Sequence, residues 1–197
     1  YACIATGPSL TRADCEKARA TCEKVMAITD AWKLCPDADY LYSCDPRWWK
    51  YHGEEVCKAF RGERWTQRQS DHKDKDEIAC ADKFGLAWKP GRHLPGLGRD
   101  CLHYGNNSGY QAINLAYLLG AQRIVLLGYD MHATDKRHFF GDHPNHLAVG
   151  SDYADWLQRF PQLAADLKSE GVEVINCTRS TALKCFPQST MDEISAV

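Results

Sequence analysis

The stretch Arg123-Ile124-Val125-Leu126-Leu127-Gly128-Tyr129-Asp130 decides how the rest of the chain is read. Four apolar residues in succession, closed by a glycine and an acid, make a strand covered on both faces, since a strand with one wet face alternates apolar and polar. Ahead of it, residues 110–119 carry apolar side chains at 112, 113, 115, 116, 118 and 119. That pattern wraps a helix in apolar surface and buries it, with Gly120 as its C-cap. Behind it, Ser151 caps a long helix bent or split at Pro161, and Glu173–Asn176 supplies another strand.

The same alternation runs back to the start. Residues 1–6 read as a buried strand that turns at Gly7-Pro8-Ser9-Leu10 into a helix opened by Thr11, whose spacing to Asp14 suits a capping box. Residues 23–28 and 40–44 are further strands, the second stopped at Asp45-Pro46 because proline cannot continue a central ladder. Residues 47–52 make a short helix or turn with Trp48 and Trp49 packed inward, and residues 78–84 a helix ending at Gly85. The run from Arg68 to Asp76 is nearly all polar or charged and reads as a solvated loop. Pro90, Gly91, Pro95, Gly96 and Gly98 leave little room for regular structure, so residues 67–98 are expected to form a small irregular lid. Strands alternating with helices specify the α/β class. The expected fold is a single Rossmann-like domain over residues 1–197, with a mainly parallel sheet and helices on both faces.

Composition sets the bounds. The chain has 197 residues, 44% of them hydrophobic, enough for one buried core. Its 24 basic and 26 acidic side chains leave a net charge of −2, which gives no electrostatic footprint for nucleic acid or for an anionic membrane. No apolar run approaches the roughly 18–20 residues that span a bilayer. A soluble, cytoplasmic protein is expected, with neither membrane nor nucleic acid as partner. Ten cysteines contain no Cys-x-x-Cys pair, so a structural zinc signature is absent and reduced, mostly buried thiols are expected.

In a parallel sheet ligands bind at the carboxyl ends of the strands, and three polar loops fall there. Gly7-Pro8-Ser9 precedes a helix N-terminus, where backbone N–H groups suit a phosphate or nucleotide; the same residues also make an ordinary strand-to-helix turn. Asn106, Asn107, Ser108 and Gly109 form a second such loop, denser in polar groups than capping alone requires, although Asn107 or Ser108 also serves as an N-cap. The third runs from Asp130 and His132 through His138 to Asp142, His143 and His146. Histidine there acts as a general base or a metal ligand, and the helical His-x-x-x-His register of a zinc protease is missing. Asp30 and Asp45, after the second and third strands, suit a ribose, a base edge or Mg²⁺, or cap the next helix.

Several of these motifs are shared with known families. Residues 3–10, Asn107-Ser108-Gly109 ahead of a helix, residues 124–130 and Phe140-Gly141-Asp142-His143 resemble the bacterial sialyltransferases of glycosyltransferase family 42 and the wider group of MptE-like pterin diphosphokinases. Small bacteriophage proteins labelled norphogenetic look similar over almost the whole chain, sharing Asp45-Pro46, Trp48-Trp49, residues 107–111 and 141–144. The sialyltransferase resemblance implies a nucleotide-sugar donor held by Gly7, Pro8, Ser9 and Asn107–Gly109, without a cofactor. It implies that His143 takes the acceptor's proton and that Asp142 or the local backbone orients it. Where that family places a tyrosine after its Gly-x-Asp motif this chain has His132, which would hold the leaving phosphate if protonated. The expected function is that of a nucleotide-utilising, glycosyltransferase-like enzyme. The alternatives are a diphosphokinase with Mg²⁺ on Asp45, Asp130 or Asp142, and a phage protein that binds or sequesters a nucleotide without turnover. A homo-oligomer is compatible with each.

Overall fold

A computed structural model describes residues 1–69, 75–132, 134–144, 147, 150 and 152–194, with the side chains of 69 and 75–77 left aside. Eight strands form one wholly parallel sheet: β1 (Ala2–Ile4), β2 (Val25–Ile28), β3 (Tyr40–Tyr42), β4 (Glu63–Gln69), β5 (Ala87–Arg92), β6 (Leu102–His103), β7 (Arg123–Leu127) and β8 (Glu173–Asn176). Five helices connect them: α1 (Arg12–Thr21), α2 (Pro46–Ala59), α3 (Lys75–Phe84), α4 (Ser108–Leu118) and α5 (Tyr153–Ser169). The expected α/β, Rossmann-like fold is what the chain adopts.

The strand order is β6-β5-β4-β3-β2-β1-β7-β8. The chain winds outward from β1 to β6, crosses back through α4, and resumes beside β1 as β7. Right-handed crossovers in opposite directions place their helices on opposite faces. The core divides accordingly. Ile4, Val25, Ala27, Leu41 and Leu127 pack with Cys15, Trp49, Val56 and Phe84 of α1–α3. Cys3, Met26, Tyr42, Ile124 and Leu126 pack with Ile113, Leu115, Phe160 and Leu163 of α4 and α5. The helix read as apolar all round is buried at every residue from Gly109 to Ala116.

The local starts and stops follow their sequence signals. Thr11 and Asp14 form the capping box of α1. Asp45 caps α2 with Pro46 in its first turn, and the helix runs to Ala59, well past the 47–52 segment expected. Trp48 and Trp49 are buried, as read. Gly120 follows the end of α4 at φ +91°, one position beyond the capping residue Leu119. Helix α5 is capped by Asp152 and continues unsplit through Pro161; Ser151, expected as its cap, lies outside the described residues.

The segment 67–98 departs most from the reading. Residues 67–69 complete β4, α3 occupies 75–84, and Pro90 and Gly91 lie within β5. Of the expected solvated loop, residues 70–74 lie outside the description. The irregular remainder is tied down. Tyr110 Oη donates to Gly96 O at 2.9 Å, Leu97 N to Asp166 at 2.8 Å, and Asn114, fully buried, bonds Gly98 through both amide atoms. All ten cysteines are free thiols, seven of them buried. No helix among the described residues is long and apolar enough to cross a membrane.

Candidate functional site

Strand order reverses between β1 and β7, and at such a switch point the flanking loops part and leave a crevice. A cleft of about 520 Å³ opens there. Gly7, Pro8, Asp45, Asn106, Asn107, Ser108, Gly109, Asp130, His132 and His143 all line it. Residues separated by more than a hundred positions along the chain therefore share one cavity.

Its floor is the junction of β1 and β7. Gly7 N donates to Gly128 O at 2.9 Å, and Gly128 holds φ +70° beneath it. A Cβ on Gly7 would stand 2.0 Å from Asp130 Oδ1 and 2.5 Å from Gly128 O, so only glycine fits. Ser9 donates to the Asp130 carboxylate from both its N–H and its hydroxyl, each at 3.0 Å. Burial raises the Asp130 pKa against these two bonds. Leu10 N turns back onto Gly7 O at 3.1 Å. These bonds engage the loop Gly7–Ser9 that was expected to cradle a phosphate. The N–H groups of Gly7, Ser9 and Leu10 bond within the protein, Ser9 sits behind Asp130 rather than on the cleft wall, and a carboxylate stands where an anion was expected.

The opposite wall offers what that loop does not. Asn107 caps α4, its Oδ1 accepting from Tyr110 N at 3.1 Å, and Asn106 turns in at φ +54°. Ser108 Oγ lies 3.0 Å from Cys44 Sγ. Ser108 and Gly109 are first-turn residues, whose N–H groups have no intrahelical acceptor and stand at the positive end of the helix dipole. Arg47 and Arg137 add cations to the lining. Neither arginine was expected; the basic pair Lys136-Arg137 beside His138 was the available signal.

Imidazoles form the third side. His138 Nδ1 lies 2.9 Å from Thr6 Oγ1, and its ring stacks on Phe140 and stands 4.6 Å from that of His143. Burial, and next the field of His143, push the His138 pKa down to about 4. Burial also lowers the pKa of His143, against the opposing pull of Asp30. The lowered pKa favours the neutral form of His143, the form able to accept a proton.

Asp30 is the carboxylate behind that ring. It sits in a 3₁₀ turn (Thr29–Lys33) after β2 and is 1% exposed. Lys33 Nζ reaches it at 2.6 Å and Trp48 Nε1 at 2.8 Å, while His52 Nε2 is at 3.7 Å and His143 Nδ1 at 4.0 Å. Burial alone would raise its pKa; the Lys33 and Trp48 bonds and the His52 field outweigh it and hold the group below the usual carboxylate range. Asp30 therefore faces His143 from outside the main cleft, and no wall of that cleft includes it. Asp142, expected to orient His143, is 73% exposed and stands 3.9 Å from Arg137 Nε. It too lies off the main cleft. Asp45 lines the cleft, but its carboxylate is engaged by Arg47 through N–H, Nε and Nη2. His132 lies on the wall, 3.0 Å from Ser180 Oγ.

Asp45, Asp130 and Asp142, the three Mg²⁺ candidates, are not gathered: no set of three or more metal-ligating side chains comes together among the described residues. His146 lies outside them. Fold and cleft together define a doubly wound α/β protein with a crevice at its topological switch point. No protein-family model, curated protein or solved structure matches the chain.

Proposed function

We propose that the protein is a nucleotide-utilising transferase of the glycosyltransferase-like kind, with His143 as general base. The observation that carries this reading is the meeting of the α4 N-terminus and His143 on one 520 Å³ cleft, at the place where doubly wound sheets bind nucleotides. The donor's phosphate lies against the N–H groups of Ser108 and Gly109, with Arg137 at the rim. Asp130 keeps the β1 side for an uncharged part of the donor, such as its ribose or sugar hydroxyls. His143 removes the acceptor hydroxyl's proton, and the oxygen attacks the donor carbon as the bond to the phosphate breaks. The electron pair leaves with the phosphate, whose charge the helix dipole and Arg137 stabilise. Asp30 orients the imidazole and stabilises the imidazolium that forms. Its 4.0 Å separation from Nδ1 shortens when substrate fills the site.

A thermal-shift panel of CMP, UDP, GDP, ATP and their sugar derivatives tests the reading. A nucleotide at a hundred times its dissociation constant stabilises by about 2.7 kcal/mol. His143→Ala is expected to keep that shift while lowering transfer by about 10²–10⁴-fold. Absence of a shift with every nucleotide overturns the proposal.

A further inference from the structure

The cleft does not stop at the α4 N-terminus. It continues past β3 to β4, where Gln67 and Gln111 line it at 5% and 4% exposure. Interior strands of a parallel sheet are ordinarily apolar, so two buried amides there need a reason. The pleat of the sheet puts both on one face. Tyr42 of β3 is registered with Trp65 of β4, both pack into the core on the α4 side, and Gln67 follows Trp65 by two residues. Gln111 descends from α4, three residues in from Ser108 and so about 4.5 Å along the helix axis.

Each glutamine is held by a tyrosine. Tyr42 Oη donates to Gln111 Oε1, and Tyr104 Oη donates to Gln67 Oε1. With its oxygen taken by Tyr42, the Gln111 amide is fixed in rotation and its nitrogen turns away from that hydroxyl. No described residue accepts from Gln111 Nε2, although Gln111 is buried and lines the cleft. A buried donor without an acceptor is costly, and it is retained where water or a ligand completes it. An amide NH₂ donates and cannot accept, so it selects an oxygen with free lone pairs and opposes another NH₂.

A nucleotide with its phosphate at Ser108 and Gly109 carries its base beyond the ribose. The ring position opposite the glycosidic bond is then the first to reach a closed end. In a pyrimidine that is position 4, a carbonyl oxygen in uracil and an amino group in cytosine. We propose that the inner end of the cleft reads the base of the bound nucleotide and takes uracil, with the Gln111 amide donating to the carbonyl at position 4. The inference rests on the reading of the cleft as a nucleotide site, and it adds the base.

UMP and CMP differ at that position, so their titration by calorimetry, with inorganic phosphate as a third probe, tests the assignment. UMP is expected to bind about tenfold or more tighter than CMP, because cytosine sets one NH₂ against another. In NMR spectra UMP should move the side-chain NH₂ signals of Gln111, and inorganic phosphate should not. Gln111→Glu exchanges donors for acceptors and is expected to reverse the order of UMP and CMP. Tyr42→Phe frees the amide to turn over and should bring the two affinities together. Melting temperatures report whether each variant folds, and the wild-type comparison decides the matter without either. CMP bound as tightly as UMP or tighter, or UMP bound no tighter than inorganic phosphate, overturns the base assignment and leaves the transferase reading. An unchanged order in a folded Gln111→Glu protein overturns the assignment as well. Absence of binding by every nucleotide removes both readings together.

Discussion

At the scale of single residues, Asp30 concentrates more of the site's electrostatics than any other group. It is nearly inaccessible to water, accepts from Lys33 and Trp48, and faces two histidines. Asp30→Asn removes the charge while leaving an oxygen for the indole, so the stability loss measured by urea unfolding should be about 1–3 kcal/mol. The catalytic signature differs from that of a merely structural change. Asp30 raises the His143 pKa against burial, so its neutralisation drops that pKa further. If His143 is the base proposed above, it acts in its neutral form, and the rising acid limb of kcat/KM against pH should move to lower pH. The plateau should fall by about 10²-fold through lost orientation. An unmoved acid limb would show that Asp30 does not act through His143.

At the scale of elements, the turn joining β1 to α1 is a clasp. Gly7 and Gly128 touch backbone to backbone, and Ser9 closes on Asp130. Gly7→Ala forces a methyl into Asp130 and the Gly128 carbonyl, and is expected to cost about 1–3 kcal/mol in chemical denaturation. If the cleft binds a nucleotide as proposed, loss of nucleotide-induced stabilisation should accompany it, since Asp130 lines the cleft. The residues of this clasp were legible as a strand-end loop; their mutual bonding was not, because nothing local says that Asp130 will reach back to Ser9. The paired strands β4 and β5 were hidden for a different reason. Thr66 and Gln67 are buried polar residues, with Gln67 Oε1 accepting from the Tyr104 hydroxyl, and the segment lacks the apolar run that marks an interior strand. Pro90 is tolerated in β5 because β6 pairs only with Gly91 and Arg92, leaving no ladder on that side for Pro90 to break. Gly91 sits where a Cβ would strike Gln67 and Tyr104. What read as punctuation is the close packing of three strands.

At the scale of the whole molecule, the apolar strands β1, β2, β7 and β8 and the buried helix α4 made the class and the two-faced core readable from sequence. The position of the cleft followed from it, since polar loops after parallel strands share one edge of the sheet. The placing of His143 between the cleft and Asp30 did not follow, because it depends on how α2 and the loop after β7 pack against each other. Cysteine usage is also a property of the whole. With every thiol free and most of them buried, a reducing agent should leave the melting temperature unchanged, and a fall on reduction would reveal a bridge. Strand β1 has one last consequence. Ala2 is registered with Val25 on one side and with Val125 on the other. At roughly 5–20 residues per second on a ribosome, the second neighbour arrives on the order of ten seconds after the first. For that interval the nascent polypeptide carries a bare, sticky flank through its middle, an unpaired edge exposed to aggregation until the second half of the sheet is made.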